Sequence, residues 1–205
     1  NLNIEKVLSC RPDLIISGSM VPQKVVKQFA DMGVPLVCVI EKPYFDGLYE
    51  NISKIGELVA LPDRADSLNA ILRSREAAMM EGAGIDDEKR PTVYYVVGFG
   101  SGGNFTAGGN TFISEIIDMA GGRNIARDSE GWTYSLEALM QADPDFILIR
   151  AEDSARFCQM SPYDKLTAVR KGNMVGLRDG ILDLQVPRNL DVIAILRERF
   201  TTPLL

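Results

Sequence analysis

The 205-residue sequence contains no histidine, which removes the commonest metal ligand and the commonest general base together. Its three cysteines, Cys10, Cys38 and Cys158, lack CxxC spacing, so neither a zinc site nor a redox pair is indicated. Cys10 and Cys38 lie in apolar surroundings and are expected to be small buried hydrophobes. No apolar run approaches the roughly 20 residues that cross a bilayer. Basic residues are outnumbered 22 to 28, so a nucleic-acid backbone is not an expected partner. No Ser–His, Cys–His or clustered-carboxylate arrangement occurs, and the sequence points to no catalytic group, no metal site and no cofactor. The chain also lacks an initiator Met, and the expectation is that a leader or a larger N-terminal piece has been removed.

What is present is ordinary for a globular chain: 46% apolar and 24% charged residues, enough for one or two domains with a sizeable core. One pattern occurs twice. EKVLSCRPDLIISG begins at Glu5 and EALMQADPDFILIRA at Glu137. Asn3 and Ser135 stand as helix N-caps, with each glutamate in the first turn, where its charge suits the helix dipole. Leu8 and Leu139 lie on inward-facing stripes, and Pro12 and Pro144 end the helices. The unbroken runs Leu14–Ile16 and Phe146–Leu148 predict strands buried on both faces of a parallel sheet. Two distant copies of a helix feeding a strand predict two similar α/β lobes.

Along the rest of the chain, VVKQFADMG reads as a helix stopped by Gly33, PLVCVI as a second strand, and EKPYFDG as a turn-rich loop. Proline at its start and glycine at its end mark a long helix over Pro62–Gly82, with apolar Ala65, Leu68, Ile71 and Leu72. It divides the chain into a first lobe (1–61), a stiff connector (62–90) and a second lobe (91–205). Parallel strands are predicted at 13–18 and 35–40 in the first lobe, and at 92–98 and 145–150 in the second. Helices are predicted from Asn110, from Ser135, near Tyr163 and over NLDVIAILRERF, with a short strand at NMVGL.

GFGSGG, Gly98–Gly103, fits GxGxxG after a strand, with Asp118 about twenty residues on. In a dinucleotide site, however, the helix opens within the glycines so that its N–H groups meet the pyrophosphate. Here FTAGG intervenes, and the loop reads instead as the lining of a cleft, through Phe99 and Gly100. Trp132, Tyr44 and Phe45 lie in loops near strand exits, where they either cover a core edge or stack on a ligand. Arg150 directly follows DFILI and either emerges at the ligand end of the sheet or pairs with Glu152 or Asp153. Arg188 opens the last helix, electrostatically the wrong end for a cation unless an anion binds there. An anionic or oxygen-rich ligand held by Arg150, Arg188, Tyr44, Trp132 and the Gly98–Gly103 loop is the resulting expectation.

These segments together resemble the substrate-binding proteins of bacterial ABC importers for iron–siderophore complexes, haem and cobalamin. ENISKIGEL resembles the lead-in to that family's long backbone helix, and TAGGNTFISEIIDMAGGRNIA its second-lobe signature. YDKLTAVRKGNMVGL resembles another segment, with Tyr163 where tryptophan is common, and VPRNLDVIAILRERF the closing Pro-Arg helix. The resemblance implies two Rossmann-like α/β lobes with parallel sheets joined by one long helix, the first lobe incomplete at its start. It implies no enzyme but an exported, periplasmic or extracellular solute binder, in some relatives a lipoprotein. Such a protein hands a metal chelate (iron–siderophore foremost, then cobalamin or haem) to a membrane permease dimer. Glu5 and Glu137 match the two glutamates that dock on the permease subunits. The missing histidine excludes His-ligated metal and haem, leaving tyrosine as the familiar haem ligand. The alternative is a Rossmann-like nucleotide-dependent enzyme using the Gly98–Gly103 loop.

Overall fold

The computed structural model describes residues 3–81, 87–178 and 180–201. The first half runs α1 (Ile4–Ser9), β1 (Ile15–Ser17), α2 (Gln23–Asp31), β2 (Leu36–Cys38), α3 (Gly47–Leu58) and α4 (Pro62–Met80). After a 3-10 turn at Asp87–Lys89 come β3 (Thr92–Tyr95), α5 (Phe112–Met119), β4 (Arg123–Asn124), α6 (Leu136–Ala142) and β5 (Phe146–Arg150). Then follow α7 (Ser154–Gln159), a 3-10 turn at Tyr163–Lys165, α8 (Thr167–Lys171), β6 (Met174–Leu177) and α9 (Asn189–Thr201).

The repeated sequence pattern is a repeated local structure. Asn3 Oδ1 accepts the Lys6 N–H at 3.0 Å, and Ser135 Oγ accepts the Ala138 N–H at 3.0 Å, so both helices open on the same cap. Both also end alike: Arg11 (φ 49) and Asp143 (φ 37) are left-handed residues directly before a proline. The proline ring disfavours the right-handed helical region for the residue ahead of it, so the helix must stop there. Asp143 then accepts the Thr167 N–H at 2.7 Å and the Thr167 hydroxyl at 2.6 Å, fixing the start of α8. Those bonds to Thr167 hold its carboxyl below the usual range.

The four predicted strands fall into two separate sheets. β1 and β2 pair in parallel, Ile15 opposite Leu36. The second sheet is parallel throughout in the order β4-β3-β5-β6, with Val93 opposite Phe146 and Ile147 opposite Met174. Asp145 ties β3 to β5 by accepting the Thr92 N–H at 2.8 Å. The unbroken apolar run gives a buried strand in β5, whose first four residues are buried, but not in β1, where Ile16 is 40% exposed. A two-stranded sheet lacks the flanking strands that enclose β5.

Apolar residues cover both faces of the four-stranded sheet. One face packs Val93, Tyr95 and Leu148 against Ile113, Ile116 and Ile117 of α5 and Leu190, Ile193 and Leu196 of α9. The other packs Tyr94, Ile147 and Ile149 against Leu139, Phe157 and Tyr163. Phe45, Leu48 and Tyr49 at the start of α3 and Leu72 of α4 belong to the first of these clusters. Phe45 is thus core, not a free loop aromatic. α3 and α4 lie so close that a Cβ on Gly56 would sit 2.4 Å from the Ala65 Cβ.

Five expectations are corrected by packing. On α4 only Ala65 and Leu72 are buried, while Leu68 and Ile71 face outward, because α3 covers a single edge of the helix. Leu8 is only half-buried and Cys10 is exposed, since α1 buries none of its residues. Cys38 is half-buried. The segment at Tyr163 is a 3-10 turn, with the α-helix beginning at Thr167. The predicted end of the connector at Gly82 lies outside the described residues.

Candidate ligand-binding cleft

In open α/β sheets, ligands bind beyond the C-terminal ends of the strands. Here those ends converge from both sheets. Glu41 follows β2, Val97 follows β3, Arg150 closes β5, and Leu182 and Asp183 follow β6. With Phe112, Ile113 and Trp132 they line a cavity of about 260 Å³. A neighbouring hollow, also about 260 Å³, shares Glu41, Phe112 and Trp132 and adds Lys42, Pro43, Asn110, Thr111 and Gly131. A third, of about 200 Å³, runs from Glu41 to Ile16, Val39, Leu184 and Val186. Glu41 borders all three, which lie side by side at the joint between the two sheets and are together called the groove here. A larger hollow of about 580 Å³ lies between α3 and α4, wide open and lined from those two helices rather than from strand ends.

One residue ties the joint together. Gln185, 9% exposed, accepts the Lys42 N–H at 3.0 Å and donates to the Tyr44 carbonyl at 2.6 Å. Asn51 Nδ2 stands 3.5 Å from the same Gln185 oxygen. The loop carrying Glu41 is thereby fixed to the loop carrying Asp183. Inside the groove, Arg150 Nη2 lies 3.3 Å from Asp183 Oδ2, and the Tyr95 hydroxyl donates to Asp183 Oδ1 at 3.3 Å. Arg150 is therefore engaged by Asp183; of the two nearby acids, Asp153 pairs with Arg156. Trp132, 45% exposed, is held by its carbonyl, which accepts the Thr106 N–H at 2.8 Å.

The glycine loop turns back on itself. Gly98 and Phe105 exchange backbone hydrogen bonds of 3.2 and 2.9 Å. Gly100 (φ +90) donates its N–H to the Tyr163 hydroxyl at 3.0 Å, which itself donates to Asn104 Oδ1 at 2.5 Å. Phe99 packs edge-on against Phe157 and Tyr163, and the Arg156 guanidinium carbon lies 4.3 Å from its ring centre. The next helix, α5, opens only at Phe112 with Thr111 as its cap, and Asp118 lies inside it. Among the described residues no helix opens within the glycines, so the loop does not have the geometry of a pyrophosphate cradle.

Of the sequence-predicted ligand residues, the structure brings Trp132 and Arg150 together in the groove lining. Phe99 and Gly100 lie in the loop backed by Tyr163, and Arg188 is exposed just ahead of α9. The Tyr44 hydroxyl points to Glu50 Oε1 at 3.1 Å, and that bond raises its pKa. Glu5 and Glu137 are both exposed in the first turns of their helices. Sequence reasoning missed Glu41, Lys42 and Asp183. The rule that singled out Arg150, a charge directly after a buried strand, would have found Glu41 had it been applied to PLVCVI. Among the described residues no cluster of His, Cys, Asp or Glu is placed to hold a metal, and no helix is long and apolar enough to cross a membrane.

The sequence profile of the periplasmic binding proteins matches residues 1–179. A cobalamin-binding protein of Halobacterium salinarum is 30% identical over 97% of the chain and 56% of its own length. An uncharacterized ABC transporter substrate-binding lipoprotein of Bacillus subtilis is 26% identical over 97% of the chain and 65% of its own. The chain thus spans between half and two thirds of these relatives. A periplasmic haem-binding protein from Pseudomonas aeruginosa superposes with a TM-score of 0.83 at 29% identity, over 100% of this chain and 78% of that one.

Proposed function

Because the chain belongs to the periplasmic binding protein family, we propose that it is the solute-binding part of an ABC importer, not an enzyme. In this reading it holds a metal chelate in the groove at the lobe joint and delivers it to a membrane permease. The observation that carries it is the convergence of strand ends from both sheets on one groove, with Trp132 and Arg150 in its lining. Relatives named for cobalamin and for haem support a metal-bearing ligand, with iron–siderophore complexes the first class to test. Tyr44, Phe99, Gly100 and Arg188 form the rim in this proposal. Export to the periplasm or cell surface goes with it, in line with the lipoprotein relative. The nucleotide-enzyme alternative finds no support in the glycine loop.

The test is a titration watched by Trp132, the only tryptophan. Ferric siderophores, cobalamin and haem should each be compared with NAD(H). Quenching by a chelate, weakened by Arg150→Ala, supports the reading. A response to NAD(H) alone would overturn it.

The two glutamates complete the proposal. A pseudo-symmetric protein meeting a symmetric permease dimer needs an equivalent contact on each lobe. Glu5 and Glu137 are equivalent down to the cap bond of their helices. Contacts of this kind set orientation and association rate and weaken with salt. In the full-length protein, replacing both with alanine should leave chelate binding intact and lower uptake; undiminished uptake would make them helix acids only. The division at 1–61, 62–90 and 91–205 belongs to the same proposal, supported by the two separate sheets and the length of α4. Limited proteolysis cutting between 81 and 91 would support it.

A further inference from the structure

The charged side chains lining the groove come in two pairs of opposite sign, Glu41 and Asp183 against Lys42 and Arg150. Arg150 is the side chain best suited to an oxyanion, with planar paired donors. An acid already occupies it, since Asp183 Oδ2 stands 3.3 Å from its guanidinium. The other oxygen of Asp183 accepts from the Tyr95 hydroxyl at 3.3 Å. Asp183 is thus held from two sides, and an incoming anion must compete with its carboxylate for Arg150. Glu41 borders all three hollows of the groove, so a ligand seated along it lies beside that carboxylate.

We infer that Asp183 and Glu41 act as a charge filter, selecting chelates with an uncharged periphery of amide, hydroxamate or hydroxyl groups over polyanionic chelates. The inference rests on the solute-binding reading and narrows the expected ligand, anionic or oxygen-rich, to its oxygen-rich form. A polyanion entering the groove gives up its hydration. In exchange it meets an Arg150 guanidinium already balanced by Asp183 at 3.3 Å. An uncharged ligand loses little hydration. It gains apolar contact with Val97, Phe112, Leu182 and the Trp132 ring.

The experiment titrates the chain with four probes: an uncharged ferric trihydroxamate, cyanocobalamin, a ferric tris-catecholate, and haemin with its two propionates. The expected result is binding of an uncharged probe at least about tenfold tighter than either anionic probe, the gap narrowing as salt screens the repulsion. Asp183→Asn should raise the anionic-to-uncharged affinity ratio by about tenfold. Glu41→Gln, at an exposed position where folding is not at stake, should raise it in the same direction. Tighter binding of an anionic probe to the unaltered chain, or a ratio unchanged in Glu41→Gln, would overturn the filter while leaving the solute-binding reading standing. Failure of all four probes to bind would overturn that reading, and the filter with it.

Discussion

Replacing Gln185 with leucine tests whether the lobe joint is held by one side chain. Leucine nearly matches the amide in volume and removes its donors and acceptor together. Two main-chain groups lose their partner: the Lys42 N–H, now bonded at 3.0 Å, and the Tyr44 carbonyl, bonded at 2.6 Å. Each stranded group costs about 1–3 kcal/mol when water cannot replace the lost partner. Tyr44 is partly exposed, so water recovers some of its share, and a loss of about 2–4 kcal/mol is expected. Urea unfolding followed by Trp132 fluorescence and circular dichroism gives the stability change. Chelate affinity should fall in parallel, because the loop carrying Glu41 loses its anchor. A change below about 0.5 kcal/mol, typical of a plain surface substitution, together with unaltered affinity would refute the reasoning.

Leu139→Ala empties a fully buried position against the second sheet and should cost about 2–5 kcal/mol in the same unfolding experiment. A Cβ on Gly109 would fall 1.8 Å from the Arg127 carbonyl oxygen, so Gly109→Ala must push two loops apart. A loss of about 3 kcal/mol or more is expected, read as a lowered melting temperature. Asp143 titrates below the ordinary carboxylate range because Thr167 donates to it, so its contribution is complete above about pH 4 and is lost as pH falls through the lower folded value. Acid titration of stability should therefore show a shallower acid limb in Asp143→Asn than in the unaltered chain.

The sequence carries those features whose cause is local. The paired caps Asn3 and Ser135 and the prolines that stop both helices are all found where the residues place them. The strands at 15–17, 36–38, 92–95 and 146–150 lie inside the predicted runs because unbroken apolar residues have few other uses. β4 escapes notice since Arg123 and Asn124 are polar, held by backbone pairing with β3 and by the bonds of the Asn124 amide to Ala107 and Ser114. α7 escapes because only Phe157 of its six residues is buried. The left-handed conformations of Arg11, Ala60 and Asp143 are likewise invisible in residue type. In the cleft, Trp132 and Arg150 could be placed by their strand-end positions. Gln185 could not, because its partners are main-chain groups far away in sequence, and neither could the bond that turns Tyr44 toward Glu50.

Lys42 and Gln185 are separated by 143 positions along the chain. Closing a loop of that length comes late in folding, since its entropic cost precedes any reward from the contact. Phe45, Leu48 and Tyr49 face the same delay, because their packing partners in α5 and α9 emerge much later in synthesis. Phe45, Leu48 and Tyr49 must therefore wait through the translation of α5 and α9 without those partners. That interval, set by the order of the gene rather than by any single contact, is when a holding chaperone would find this chain, and when a stalled or shortened product would aggregate.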